Sequence, residues 1–96
     1  MLRLRDTVGR WLPYLPAPWH RVTLRELLDH TSGIPDFSQG KGFLPAVLAS
    51  PKRPPRPRKL LTYAGSTLDF APGTEYAYSN SDNIAVGLMI QAATGR

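Results

Sequence analysis

Proline is the residue type that most constrains this chain. Ten prolines stand among 96 residues, and each fixes its own φ, withholds a backbone donor and turns the residue before it away from helix. Pro13, Pro16 and Pro18 allow a short helical turn within Leu2 to Leu12, then impose a rigid strap. The run from Pro51 to Lys59 reads as a solvated loop that cannot pack. Ala71-Pro72-Gly73-Thr74 reads as a tight turn. Regular structure is left to the stretches between these points.

The clearest helix start is Thr23-Leu24-Arg25-Glu26. It matches the capping box, in which the threonine hydroxyl and the glutamate carboxylate each satisfy a backbone donor of the first turn. Leu24, Leu27 and Leu28 follow at i, i+3 and i+4 as one apolar stripe. His30 in the last turn, Gly33 beyond it and Pro35 suit the helix end. Phe43 to Ala49 is apolar enough for a short helix, and the stretch through Tyr63 and Leu68 is ambiguous. The best helix runs from about Asn80 to Gly95. Its main stripe is Ile84, Ala85, Leu88, Met89 and Ala92, and the further apolar groups of Val86 and Ile90 predict burial on most sides.

A net charge of +5 would suit a polyanion if it were spread over a face. Instead Lys52, Arg53, Arg56, Arg58 and Lys59 stand together with no acid between them, and the seven other basic residues equal the seven acids. That run holds no aromatic residue on which a base could stack, so no nucleic-acid partner is expected. A solvated loop accounts for it better than an SH3-type ligand. With no cysteine, neither a disulfide framework nor a Cys-based zinc site is available. His20, beside Trp19, has no other ligand at chelating spacing and reads as a packing or surface residue, so no metal and no cofactor are expected. No apolar h-region follows the first arginines and no apolar run is long enough to span a bilayer, so neither a signal peptide nor a membrane segment is expected.

Two segments taken together resemble a known pattern: Val22-Thr23-Leu24-Arg25-Glu26-Leu27-Leu28-Asp29-His30-Thr31-Ser32-Gly33-Ile34, and Phe70-Ala71-Pro72-Gly73-Thr74-Glu75-Tyr76-Ala77-Tyr78-Ser79-Asn80 with the helix after it. They are similar to segments of the serine hydrolases that include class C β-lactamases, D-alanyl-D-alanine carboxypeptidases, penicillin-binding proteins and related esterases. The opening, Leu4-Arg5-Asp6-Thr7-Val8 leading to Tyr14-Leu15-Pro16, is similar to the segment after that family's nucleophile helix. The resemblance therefore covers nearly all of 1–96 as a partial domain, with the Pro/Arg-rich loop at 51–59 as the departure. It implies the helical portion of the mixed α/β serine hydrolase fold with the sheet missing, so the chain as it stands should be mainly α.

Such enzymes need a serine activated by a nearby base, an oxyanion hole and a proton shuttle to the leaving group. The family divides these jobs among Ser-x-x-Lys, Tyr-x-Asn and a strand bearing Lys/His-x-Gly, and this chain matches the second. The resemblance makes Tyr78 the catalytic proton shuttle and Asn80 the substrate-binding amide, able to donate and accept at once. It implies hydrolysis through an acyl-serine of a small or peptidyl acyl substrate: a D-Ala-D-Ala peptide, a β-lactam or an ester. The parent family is often secreted or periplasmic, and localisation is left open. Lacking Ser-x-x-Lys, the fragment is expected to be inactive alone; the alternative is a truncated or pseudo-hydrolase binding module.

Three constellations compete with this reading. Ser38-Gln39-Gly40-Lys41 spells Ser-x-x-Lys, but its glycine and Gly42 argue for a loop, where Lys41 would not lie over Ser38. Ser81-Asp82-Asn83 matches the Ser-Asp-Asn motif of class A β-lactamases, yet the spacing from the Pro-Gly turn selects Tyr78 and leaves these residues to cap a helix. His30, Ser32 and Asp36 suggest a triad, but His30 and Ser32 stand two apart at a helix end and would not face each other in a helix.

Overall fold

The computed structural model describes residues 1–49, 52–53 and 55–95. It contains five α-helices: α1 (Val8–Trp11), α2 (Leu24–Asp29), α3 (Phe43–Ala49), α4 (Pro57–Thr62) and α5 (Asn80–Thr94). Two 3-10 turns, Ala17–Trp19 and Phe37–Gln39, join them. No strand forms among the described residues; one isolated antiparallel bridge pairs Thr7 with Thr23. No described helix is long and apolar enough to cross a membrane.

The capping box of α2 is complete: Thr23 Oγ1 accepts from the Glu26 N–H at 3.2 Å, and Glu26 Oε1 accepts from the Thr23 N–H at 2.9 Å. Such a cap contributes about 1 kcal/mol, a large share for a six-residue helix. Helix α2 buries Leu24 and Leu27 but leaves Leu28 half exposed, because so short a helix turns one narrow edge to the core. Its end differs from the expectation: the left-handed residue that closes the helix is His30, at φ 59°, three residues before Gly33. Its N–H closes onto the Glu26 and Leu27 carbonyls.

Helix α5 is the spine, with α1, α2 and α4 packed along it. Ser79 caps its start by accepting the Ser81 N–H at 3.2 Å, and Gly95 ends it at φ 75°. Ala85, Leu88 and Met89 join Val8 and Leu12 of α1, Leu24 and Leu27 of α2, Leu61 of α4 and the fully buried Trp19 in one core. Trp19 is the largest of its fully buried side chains, and its indole N–H donates to the Thr67 carbonyl at 2.9 Å. His20 is a packing residue, its ring seated against Gly9 and its Nε2 2.6 Å from the Leu15 carbonyl. The expectation that α5 is buried on most sides is overturned. Gly87, Ile90 and Ala92 are exposed, because the elements packed on α5, namely α1, α2, α4 and the Phe37–Gln39 turn, leave that side uncovered.

The Pro51–Lys59 loop is also shorter than expected. Pro57, Arg58 and Lys59 form the first turn of α4, with Pro57 where a missing N–H costs nothing and a φ near −65° is already helical. Leu61, one turn later, anchors that helix in the core. Residues 51 and 54 of this stretch lie outside the described residues, as do residues 50 and 96.

Candidate active site

The two sequence segments dock along each other. Backbone N–H groups of Asp69, Gly73 and Ala77 donate to the carbonyls of Gly33, Thr31 and His30 at 2.7, 2.7 and 2.9 Å. Gly33, at φ 83°, leaves no room for a Cβ against the Phe70 carbonyl. Gly73, also at φ 83°, completes the Pro-Gly turn, closed by the Thr74 N–H on the Ala71 carbonyl. The strap from 74 to 79 is thereby laid against the end of α2, and α5 begins where it stops.

Beneath this strap lies a buried polar node. Asp82, fully buried, accepts the Ser32 hydroxyl at 2.5 Å on Oδ1, and its Oδ2 stands 2.9 Å from His30 Nδ1. Burial raises the Asp82 carboxyl to about 6, against the lowering effect of the Ser32 and His30 hydrogen bonds. Next to it Ser81, equally buried, donates to the Pro35 carbonyl at 2.6 Å and accepts the Phe37 N–H at 3.0 Å. Every buried side-chain polar atom among the described residues has a partner, which low-dielectric surroundings demand.

Tyr78 stands above the node, half exposed. Its ring lies over the His30 ring with centroids 4.5 Å apart. Its hydroxyl donates to Asn80 Oδ1 at 3.2 Å and accepts from Asn83 Nδ2 at 2.9 Å. Asn80 is pinned in turn: its backbone N–H and its Nδ2 both donate to Asp36 Oδ2, at 3.2 and 3.0 Å. Burial of Asp36 opposes its ionisation, but the donors from Ser38 and Asn80 outweigh this and hold its carboxyl below the usual range. Beside these residues opens a cleft of about 310 Å³, lined by Gly33, Pro35, Asp36, Asp69, Phe70 and Tyr78 among others.

A beta-lactamase family model matches residues 1–96. The chain belongs to the beta-lactamase family. It is 34% identical over 97 residues to penicillin-binding protein 4* of Bacillus subtilis (strain 168), covering 99% of this chain and 20% of that protein. A D-stereospecific amidohydrolase from Streptomyces sp. is similar in structure at a TM-score of 0.86 and 31% identity, over 99% of this chain and 31% of its own. EstCE1, a hydrolase with promiscuous acyltransferase activity, is similar at 0.68 and 27%, over 99% and 28%. The chain thus spans between a fifth and a third of these relatives. It corresponds to the helical portion of the serine hydrolase fold shared by β-lactamases and penicillin-binding proteins, mostly helical with no strand among the described residues.

Within that family frame, the structure brings Tyr78 and Asn80 together and separates the competitors. Ser38 lies in a 3-10 turn with its hydroxyl donating to Asp36 at 2.7 Å, and the backbone is extended again at Gly40, so no helix presents Lys41 to it. Ser81, Asp82 and Asn83 do not cap α5, which Ser79 does; their side chains reach instead to the Pro35–Phe37 loop, to His30 and Ser32, and to Tyr78. His30 and Ser32 do converge, but on Asp82 rather than Asp36, and the Ser32 hydroxyl is buried and donated to Asp82. No three His, Asp or Glu among the described residues are grouped to hold a metal ion.

Sequence reasoning named Asp36, Asp82 and Asn83 but placed none of them in this site: Asp36 stood only in a rejected triad, and Asp82 and Asn83 only as helix caps. A signal existed for Asp82: it stands at i, i+3 and i+7 with Ala85 and Met89, so the buried stripe of α5 runs back through it. An acid on such a stripe requires partners, and His30 and Ser32 are those partners.

Proposed function

We propose that this chain supplies the proton-shuttling and substrate-holding part of an acyl-serine hydrolase, with Tyr78 as the shuttle and Asn80 as the amide that holds the substrate. The observation that carries the reading is the Tyr78–Asn80 contact, with Tyr78 lining the cleft and Asn80 fixed by two hydrogen bonds to Asp36, which lines it too. A shuttle must be reachable yet held, and Tyr78 is half exposed but bonded on both sides of its oxygen. In its deprotonated form Tyr78 accepts the proton of the attacking serine as that oxygen bonds to the acyl carbon. It returns the proton to the leaving nitrogen or oxygen as the acyl bond breaks. Water then repeats the sequence to release the acid.

The substrate class is a D-Ala-D-Ala peptide, a β-lactam or an ester. Similarity to a D-stereospecific amidohydrolase is the reason to try amides of D-configured acyl groups first. A second reading, a pseudo-hydrolase binding module, is favoured by one observation: the Ser-x-x-Lys of this chain, at Ser38, is not on an α-helix, and its hydroxyl is engaged by Asp36.

Acylation by a fluorescent penicillin and by an activated D-amino-acid ester, read by intact mass, separates the two. The chain extended through its upstream reading frame should gain one acyl group, the 96-residue chain none, and Tyr78→Phe in the extended form should lose the label. An extended form that no reagent acylates supports the pseudo-hydrolase.

A further inference from the structure

We propose that Asn83 is a third residue of this site, donating to the phenol oxygen of Tyr78 within a one-way hydrogen-bond chain whose direction Asp36 sets. The inference rests on the reading of Tyr78 as the proton carrier, although the chain of bonds can be observed without any reaction. It starts from Asp36, whose carboxylate takes four donors: the Ser38 N–H at 2.9 Å, the Ser38 hydroxyl at 2.7 Å, and the N–H and Nδ2 of Asn80. An ionised carboxylate only accepts. The face of the Asn80 amide turned to Asp36 must therefore be its NH2, and the carbonyl must face Tyr78.

The rest follows by elimination. A phenol has one proton, and Asn80 Oδ1 at 3.2 Å takes it. The amide of Asn83, 2.9 Å from the same phenol oxygen, can then meet it only with an N–H, because its carbonyl would set lone pair against lone pair. The bonds thus run from Asn83 to Tyr78, from Tyr78 to Asn80 and from Asn80 to Asp36.

This polarity has a chemical consequence. When Tyr78 gives up its proton, the bond to Asn80 is lost and a carbonyl is left facing a negative oxygen. Asn80 cannot turn its NH2 inward to compensate, since Asp36 holds that group. The donor left in place is Asn83, whose bond becomes charge-assisted and shorter. Asn83 is exposed on the first turn of the fifteen-residue helix α5, so its replacement does not reach the core.

The Asn83 side chain bonds to Tyr78 and to none of the other titratable groups around it, and Tyr76 stands edge-on to His30. His30 lies beneath its ring, with Asp82 behind it; Asp36 acts through Asn80; Asp69 and Tyr63 line the same cleft.

The test uses the 96-residue chain carrying tyrosine labelled with carbon-13 at Cζ, the Tyr78 signal being assigned by its loss in Tyr78→Phe. In Asn83→Leu the alkaline transition of that signal should move to higher pH by about half a pH unit, the scale of an exposed charge-assisted bond. In Asn83→Asp it should move further in the same direction. At neutral pH one side-chain amide proton of Asn83 should move upfield in Tyr78→Phe, a readout independent of alkaline stability. Coincident transitions in wild type and Asn83→Leu, or an Asn83 amide indifferent to Tyr78→Phe, overturn the proposal. Either result leaves the hydrolase reading to be judged separately, by acylation of the extended form.

Discussion

Two regions of this molecule are held by different forces. Residues 30–36 and 69–83 are joined by directional polar bonds: three between backbones, and others through Asp36, Ser81 and Asp82. The arm formed by helices α3 and α4 is held by apolar contacts, with Leu61 of α4 entering the core, and by cations over rings. Helix α3 buries no residue, Phe43 meets Phe37 and Tyr63 edge-on at 5.3 and 6.2 Å, and the Arg58 guanidinium lies 3.7 Å over the Tyr14 ring. Hydrogen bonds to a buried carboxylate tolerate one arrangement, whereas apolar edges slide and repack at small cost. The candidate site stands on the region that can hold a phenol and an amide within a few tenths of an ångström.

The contrast can be broken at several points. The largest effect should come from Asp82→Ala, which leaves His30 and Ser32 without their shared acceptor in a buried place. A loss of about 3 kcal/mol is expected in urea unfolding, and a loss under about 1 kcal/mol would mean that the node does not hold the site. Gly33→Ala should cost about 2 kcal/mol by the same measurement, since a methyl group there meets the Phe70 backbone at a φ of 83°.

A pH series sharpens the same point. Folding raises the Asp82 carboxyl to about 6, whereas an aspartate in an unfolded chain titrates near 3.9, about its model value. The folded state therefore binds this proton more tightly. Its contribution to stability is full below about pH 3.9 and is lost as pH rises through about 6. Relative to Asp82→Asn, the wild type should lose stability between about pH 4 and 6 and run parallel above that; parallel curves throughout would remove Asp82 as the cause. On the arm, Arg58→Ala should cost about 0.5 to 1 kcal/mol. Leu48→Ala, on a side chain 69% exposed, should change stability by less than about 0.5 kcal/mol.

Features written in local chemistry were legible in the sequence: the capping box at Thr23, the Pro-Gly turn at 72–73, and helix α5 from Asn80 to Thr94. Tyr78 and Asn80 were singled out by the resemblance to Tyr-x-Asn, not by composition or periodicity, and a hydrogen bond joins the two side chains. Features that depend on what an element meets were not legible. A proline opens α4 where a proline-rich run suggested loop, because Leu61 one turn later has a core to enter. The exposed side of α5 carries Ile90 although its residue type argued for burial. The buried node needed residues 50 apart in sequence, such as Ser32 and Asp82, to be seen as neighbours.

The account rests on Tyr78 as a proton carrier positioned by Asn80, and single-turnover acylation tests that most directly. The extended protein, its Tyr78→Phe variant and its Asn80→Ala variant would be mixed with an activated D-amino-acid ester and followed by intact mass. The account predicts an acylation rate at least about 100-fold lower in Tyr78→Phe, the usual worth of a positioned proton carrier, with an unchanged melting transition. Acylation of Tyr78→Phe at the wild-type rate would contradict it.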